Sequence, residues 1–376
     1  MENPTGTQEG LLKKSPLLEQ HRKLGARVGV ADGWEMPLSY ETPEGEVHLV
    51  RRQVGLVDIS HFGIIQVSGS EAERFLNGLV TNDVKTLTKG NGMQAAFLTG
   101  HGKVRALCRI LALGDSYFII NDPQTHDKVY RYVFPFSYAG DFKVEDVSAN
   151  YATFSIQGLR ALLVMKEVSF EPVSSMDEHQ WSAAVVAGHS VTIVKTSRAG
   201  MAGYDILAPV EGAVDVWDFI LLKGGFHGIR PFGLRALEIL QFESGVPMYG
   251  IDADETNMML EIGLPNAVSF TKGCYTGQEA VAMATYRGHV SKKLSGLMLE
   301  GETIPARGDK ILSQGREVGS VTSAIKSVTL GRVIAMAYVK YGFFEPGSSI
   351  EIQNEHGSLR ATIVEMPFRS SLREES

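Results

Sequence analysis

The last quarter of the chain carries a repeating pattern that restricts its fold more than any other feature. After Arg287, six short apolar runs alternate with Gly-containing turns, and no long helical pattern separates them. The runs are 294–299, 310–312, 317–321, 334–339, 349–352 and 358–364. Short strands at such spacing are typical of a small β-barrel or sandwich. We therefore expect residues 289–376 to form a separate β-domain.

The longer region 15–288 mixes both types of secondary structure. Residues 93–98, 104–113 and 117–121 predict consecutive strands joined by short turns, which is the spacing of an antiparallel meander. Helical patterns, among them 126–134 and 214–222, fall unevenly between the strands. This mixture favours an α+β architecture, which we expect to divide into two subdomains. The polar residues 1–14 are expected to be mobile.

Composition excludes several classes of protein. A chain of 376 residues exceeds the usual size of one hydrophobic core, so two or three domains are expected. The net charge of −7 and the lack of a long basic block argue against nucleic-acid binding. No apolar run approaches the length of about 20 residues that spans a bilayer, and no signal region opens the chain. Two cysteines do not form a disulfide scaffold, so we expect a cytoplasmic protein that neither enters nor binds a membrane.

Residues 272–279 concentrate several chemically active groups. Cys274 lies next to Lys272, between two glycines, and ahead of an apolar run that is predicted to be helical. A nearby ammonium and the N–H groups of a helix end can lower the pKa of a thiol and make it reactive. The alternative is a buried cysteine in an ordinary turn, because free cysteine is among the most buried residue types.

This segment, with residues 286–288, resembles the signature of the YgfZ-type folate-binding proteins. Those proteins are similar in fold to the aminomethyltransferase, or T-protein, of the glycine cleavage system. Five further segments resemble the T-protein itself, and the resemblance covers roughly residues 15–368; the five segments are 33–37, 54–61, 81–83, 228–234 and 249–252. It implies a T-protein-like folate-binding domain of mixed antiparallel sheets and helices, followed by a small C-terminal β-barrel. It also implies tetrahydrofolate, or a derivative, as the ligand.

The chain departs from the T-protein pattern at positions that matter for chemistry. T-proteins carry a pair of aspartates, the first a catalytic acid/base, where this chain has Ala106 and Leu107. Neither side chain can transfer a proton, and such assistance is worth about 10²- to 10⁴-fold in rate. The segment 198–205 is shorter than its T-protein counterpart, and Gln241 replaces an arginine that helps to hold folate.

The resemblance nevertheless implies a set of site residues. Cys274 is the expected reactive group, and the expected folate-binding residues are Asn121, Lys272, Tyr275, Gln278, Glu279 and Arg287. Asn121 can equally be a turn residue at the end of a strand. Arg287 can equally form a surface ion pair with Glu279. The histidines show no spacing typical of metal ligands, so no metal site is expected.

Three functions follow as hypotheses. The first is a tetrahydrofolate-binding protein that assists the synthesis or repair of iron–sulfur clusters in other enzymes through Cys274, with those enzymes or assembly proteins as partners. Two cysteines cannot hold such a cluster in this chain itself, since clusters normally need about four thiolates. The second is a tetrahydrofolate-dependent aminomethyltransferase or demethylase that has moved its acid/base elsewhere. The third is a scaffold with an inert thiol.

Overall fold

The structure, a computed structural model, describes residues 12–354 and 357–368. Within these residues an α+β region precedes a closed six-stranded barrel, as the sequence predicts. The helices are α1 Leu18–Lys23, α2 Pro43–Arg52, α3 Ala72–Leu79, α4 Pro123–Val133, α5 Ala161–Val168, α6 Ala213–Gly224, α7 Leu234–Glu243, α8 Met259–Ile262 and α9 Gln278–Tyr286.

Fourteen strands precede the barrel in the described chain. They are β1 Lys13–Lys14, β2 Arg27–Ala31, β3 Trp34–Ser39, β4 Val54–Asp58, β5 Gly63–Ser68, β6 Gly92–Leu98, β7 Val104–Ala112, β8 Ser116–Asn121, β9 Lys143–Asp146, β10 Tyr151–Gln157, β11 Trp181–Val186, β12 His189–Lys195, β13 Gly203–Pro209 and β14 Ile229–Pro231. Of the segment 1–14 that we expected to be mobile, residues 1–11 lie outside the described residues. Lys13 and Lys14 pair in parallel with β3.

The strands before the barrel form three sheets. One has the order β6-β7-β8-β5-β9, and its first three strands are the predicted antiparallel meander. The second has the order β11-β12-β13-β10-β4-β14, and the third is the small sheet β1-β3-β2. Each larger sheet packs helices against one face: α3 and α4 cover the first, and α5 and α6 cover the second. Their opposite faces meet through Ile64, Phe118, Ile120, Val194 and Leu207.

The barrel follows the predicted apolar runs closely. Its strands are β15 Lys292–Leu299, β16 Lys310–Ser313, β17 Arg316–Lys326, β18 Val333–Lys340, β19 Ser349–Asn354 and β20 Gly357–Val364. Closure removes the free strand edges that an open sheet of this size would expose. The alternating inward residues form a core of their own, which includes Leu297, Val321, Val339 and Ile352.

A buried carboxylate attaches the barrel to the rest of the protein. Glu243, at the end of α7, accepts hydrogen bonds from Arg51 at 2.8 Å, from Ser327 at 2.7 Å and from both the backbone and the hydroxyl of Thr329. Burial alone would raise the pKa of Glu243, but these donors hold it below its usual value.

Candidate functional site

A cavity of about 470 Å³ opens where the two large sheets, the small sheet and the barrel come together. Its walls come from the end of β2, the loop after β4, the turn between β8 and α4, the helix α7 and the loop 246–251. Ile325 of the barrel closes part of one side. Pockets that hold a whole organic ligand have volumes of about 300–1,000 Å³, so this cavity is large enough for one.

Most of the cavity wall is apolar, with a few polar groups placed among aromatic side chains. Phe62, Phe242 and Tyr249 supply the aromatic surface. The polar side chains that line it are Asp32, His61, Asp122, Gln124, Arg235, Glu238 and Gln241. This combination is characteristic of a pocket in which apolar contact gives affinity and a few polar groups fix orientation.

A buried hydrogen-bond network fixes the loop that carries His61 and Phe62. Asp58, at the end of β4, accepts hydrogen bonds from His21 at 2.8 Å, from Ser15 and from Ser60. Burial alone would raise the pKa of Asp58, yet these bonds hold it below its usual value. The anchored loop then places His61 in the cavity wall, where burial lowers the pKa of its imidazole to about 4. His61 is therefore neutral at neutral pH.

Asn121 is a buried amide with no hydrogen-bond partner among the described residues. Its side chain is 1% exposed, and neither Nδ2 nor Oδ1 is satisfied. Asn121 is the last residue of β8 and pairs with Gly63. A Cβ on residue 63 would lie 1.8 Å from the Nδ1 atom of His126, so only glycine fits at residue 63. Each unsatisfied buried polar atom costs about 1–3 kcal/mol. Asn121 directly precedes Asp122, which lines the cavity, but its own side chain is not part of the cavity wall.

Two arginines, the buried Arg198 and the partly buried Arg109, lie behind the cavity. Arg198 binds both oxygens of Asp205 at 2.8–3.0 Å and stacks on Phe62, with 4.6 Å from its guanidinium carbon to the ring centre. Arg109 approaches the same carboxylate only to 3.9 Å, and its Nε atom has no partner among the described residues. Burial, together with Arg198, lowers the pKa of Arg109 to about 10. Arg109 therefore lies near the pocket with a guanidinium group that is only partly paired.

The segment 272–279 lies elsewhere and uses its polar groups internally. Lys272 is buried, and its Nζ atom donates to the carbonyl oxygens of Asn77 at 2.7 Å, Val80 at 2.9 Å and Asn82 at 2.7 Å. Two of these carbonyls belong to the last turn of α3 and the residue after it, which have no helical donors of their own. Burial lowers the pKa of Lys272 to about 8. Lys272 thus supplies hydrogen-bond donors to the C-terminal end of α3.

The other expected site residues in this segment do not line the cavity. Tyr275 is buried in a separate apolar cluster with Ala96 and Val104. Cys274 and Glu279 are exposed, Gln278 is half-buried at the start of α9, and Arg287 is exposed after its end. Among the expected site residues, Asn121 directly precedes the cavity residue Asp122 but does not line the cavity itself, and the others lie in or next to the segment 272–287, away from the cavity.

The positions of the missing aspartates lie on opposite faces of β7. Ala106 is fully buried beside Phe97 and Ile119 in the core under α3 and α4. Leu107 packs on the other face, against the cluster around Ala96. Neither residue lines the cavity. A carboxylate at 106 would therefore enter an apolar core in this chain.

Sequence reasoning missed Asp122 as a site residue. In the order Asn121-Asp122-Pro123 it has the pattern of an ordinary helix N-cap followed by a first-turn proline. It does occupy that position, but its side chain accepts no capping hydrogen bond and lines the cavity instead. The sequence contains no sign of this difference.

Two general expectations concern metals and membranes. In residues 12–354 and 357–368, no three His, Cys, Asp or Glu side chains are grouped as metal ligands. No helix in the same ranges is both long and apolar enough to cross a bilayer.

Comparison with known proteins assigns the chain to a family. The GCVT N-terminal domain matches residues 17–272, and the glycine cleavage T-protein C-terminal barrel domain matches residues 292–369. An aminomethyltransferase of Halothermothrix orenii is 34% identical over 95% of this chain and 100% of its own length. That of Bacillus subtilis is 28% identical over 95% and 99%. The crystal structure of aminomethyltransferase T from Bartonella henselae superposes with a TM-score of 0.86 at 22% identity, covering 95% of this chain and 98% of that one.

These similarities correct one expectation. The first functional hypothesis, assistance to iron–sulfur clusters through Cys274, is wrong, because full-length relatives at 28–34% identity are named aminomethyltransferases. A physical reason agrees with this correction, since Lys272 is bound to three carbonyls rather than free to activate a thiol. The tetrahydrofolate that the resemblance implied is the ligand of the T-protein family. From both domain matches and the full-length relatives, the chain belongs to the glycine cleavage T-protein, or aminomethyltransferase, family.

Proposed function

We propose that the chain is a tetrahydrofolate-dependent aminomethyltransferase or demethylase of the T-protein type. The observation that carries the proposal is the cavity of about 470 Å³, whose wall combines aromatic side chains with a few polar groups. Full-length similarity to aminomethyltransferases supports the same conclusion. Tetrahydrofolate, when bound, supplies the nitrogen that accepts the one-carbon unit.

The residues present fit a folate. A pterin ring carries neighbouring hydrogen-bond donors and acceptors, which suit the polar side chains of the cavity wall. Phe62 and Tyr249 offer flat apolar surface to aromatic rings. Gln241, in place of the arginine of T-proteins, lines the cavity and offers a neutral amide. We expect this exchange to weaken the binding of an anionic ligand without abolishing it.

Other residues of the wall supply apolar cover and a hydrogen-bond acceptor. Phe242 and Ile325 cover the cavity from α7 and from the barrel. His61 stays unprotonated at neutral pH because burial lowers its pKa to about 4, so it can accept a hydrogen bond. Apolar walls strengthen the polar contacts beside them, since the local dielectric constant is low.

Finer assignments remain part of this proposal. Residues 272–279 support placing the chain in a YgfZ-like subgroup of the family, distinguished by sequence and not by an iron–sulfur role. One-carbon metabolism in the cytoplasm, with reduced folate as the small-molecule partner, follows from the same assignment. Cys274 and its neighbours in that segment form a second surface whose role in folate binding stays a prediction.

A binding titration joined to a transfer assay tests the proposal. Calorimetry with tetrahydrofolate should give a defined heat, and a folate excess of 100 times the dissociation constant should stabilise the protein by about 2.7 kcal/mol. The assay should then supply the glycine cleavage components in one arm and N-methylated amino acids in the other. No heat and no thermal shift at millimolar folate would refute the proposal. Folate binding without turnover in either arm would favour a scaffold.

A further inference from the structure

We propose that Asp122 is the acid/base of the cavity and exchanges a proton with a nitrogen of the bound one-carbon carrier. The inference rests on the proposed function and adds to it the group that the T-protein aspartates would otherwise supply. When the carbon–nitrogen bond to the departing amine breaks, the O–H bond of Asp122 would break with it and its proton would form the new N–H bond on that amine. When the nitrogen of the one-carbon carrier forms its new bond to the transferred carbon, it would give its own proton to the Asp122 carboxylate.

The backbone position of Asp122 shows that its side chain is held away from its usual partner. It is the N-cap of α4, with φ −60° and ψ 145°, and aspartate at this position normally accepts a hydrogen bond from the second or third helical N–H. Thr42 does this for α2 and Asp83 does so for the short helix that follows it. The Asp122 side chain makes no hydrogen bond with any described residue and faces the cavity. An N-cap hydrogen bond stabilises a helix by about 1 kcal/mol. Because Asp122 does not make this bond, its carboxyl group is available to a ligand.

The surrounding charges suit a group that both holds and releases a proton. Burial and Asp32 raise the pKa of the Asp122 carboxyl, while the guanidinium groups of Arg109 and Arg198 lower it, and the net direction is upward. The neutral form is thereby kept at higher pH than for an ordinary aspartate. Once the proton leaves, Arg109 is available to the carboxylate, because Arg198 already takes both oxygens of Asp205. The same site therefore favours each form at the stage where it is needed.

The other titratable groups of the cavity wall are less suitable. His61 has a pKa of about 4 and carries no proton to give at neutral pH. Asp32 accepts a hydrogen bond from Gln124 at 3.0 Å. Glu238 is paired with Arg235 at 3.0 Å on the exposed side of α7. Among the acids that line the cavity in the described chain, Asp122 is the one without a side-chain partner.

Infrared titration of the free protein tests the proton-holding state without any ligand. Asp122→Asn keeps a good N-cap residue, so the fold should be retained. Asp127→Asn, on the same helix but exposed and 3.9 Å from Arg131, is the matched control. We expect a protonated-carboxyl band that persists above the pH at which ordinary aspartates ionise, is lost in Asp122→Asn and is kept in Asp127→Asn. The same band in Asp122→Asn would overturn the inference.

Kinetics then test the role in transfer. Loss of a general acid or base should lower kcat by about 10²- to 10⁴-fold, with the folate dissociation constant changed by less than about threefold. The wild-type rate should fall as pH rises through the pKa of Asp122, and this limb should vanish in Asp122→Asn. Wild-type kcat and pH profile in Asp122→Asn would overturn the inference. Failure of the wild type to bind folate would instead refute the proposed function, while the infrared result would still report on Asp122.

Discussion

The cavity region and the segment 272–287 differ in whether their buried polar side chains have hydrogen-bond partners. In the cavity region, Asn121 and Asp122 have no side-chain hydrogen bonds to described residues, and His61 keeps a free Nδ1 atom. In the segment, the ammonium of Lys272 is fully used by three carbonyl oxygens. Protein interiors satisfy nearly all buried polar groups, so unsatisfied groups beside a cavity are candidates for ligand contacts. The lysine that the sequence singles out is used to hold a helix end, whereas the cavity wall contains Asp122 without a side-chain partner.

The largest effect should come from removing Lys272, which donates hydrogen bonds to carbonyl oxygens at the end of α3. Lys272→Ala leaves three carbonyl oxygens without a donor, and each costs about 1–3 kcal/mol, so the free energy of unfolding should fall by at least about 3 kcal/mol. Urea denaturation measures this loss. The folate dissociation constant of the folded fraction should not change. Lys85→Ala, at an exposed residue nearby, serves as the control. A stable Lys272→Ala protein that has lost folate binding would reverse the comparison between the two regions.

The second effect concerns pH and His61. Its folded pKa of about 4 lies below the ordinary 6.5, so between these values the unfolded chain binds a proton that the folded chain does not. The stability conferred by the neutral imidazole is complete above pH 6.5 and declines as the pH falls toward 4, by at most about 1.4 kcal/mol per unit. Unfolding curves at stepped pH values should show this slope. His61→Phe should flatten it, and an unchanged slope would contradict the assignment.

A third test separates binding from stability at Asn121. Because its amide has no partner to lose, Asn121→Ala should change the free energy of unfolding by less than about 1 kcal/mol. Folate affinity should fall at least about tenfold, which corresponds to about 1.4 kcal/mol. Calorimetry and denaturation on the same samples give both values. Full affinity together with a large loss of stability would mean that Asn121 is a structural residue.

The smallest effect is expected at the exposed thiol. Cys274→Ser should change stability by no more than about 0.5 kcal/mol and leave transfer activity intact, since the side chain is exposed in a turn. In the folded protein, iodoacetamide should label Cys274 and spare Cys108, which is buried and whose pKa burial raises strongly. Peptide mapping after labelling checks this. A large loss of transfer in Cys274→Ser would restore a chemical role to the segment.

The sequence predicted the barrel far better than the site. Barrel strands are short apolar runs that lie between glycine turns, so local pattern alone defines them, and the run 334–339 became Val333–Lys340. The meander before α4 was predicted for the same reason. The cavity instead depends on contacts between residues far apart in the chain, such as His61, Asp122 and Gln241. No local pattern encodes that proximity.

Two site residues show the limit in particular. Asp122 has the sequence of a helix cap, and only the three-dimensional structure reveals that the cap is not made. Lys272 has the sequence of an activating cation, and only the fold reveals that the end of α3 lies within its reach. In both cases the sequence identified the chemical group and could not identify its partner.

The hydrogen bonds to the Glu243 carboxylate have a consequence for how the protein unfolds. The family divides into two domains along the sequence, yet one side chain is held by α2 through Arg51 and by the barrel through Ser327 and Thr329. The same helix also lines the cavity with Leu237 and Gln241. A chain truncated between residues 288 and 292 would lack the barrel, and with it Ser327 and Thr329. The buried Glu243 carboxylate would then lose two of the three residues that donate hydrogen bonds to it. On heating, the barrel and the region around the cavity should therefore unfold in one transition. A ligand in the cavity should raise the unfolding temperature of barrel strands that do not line the cavity.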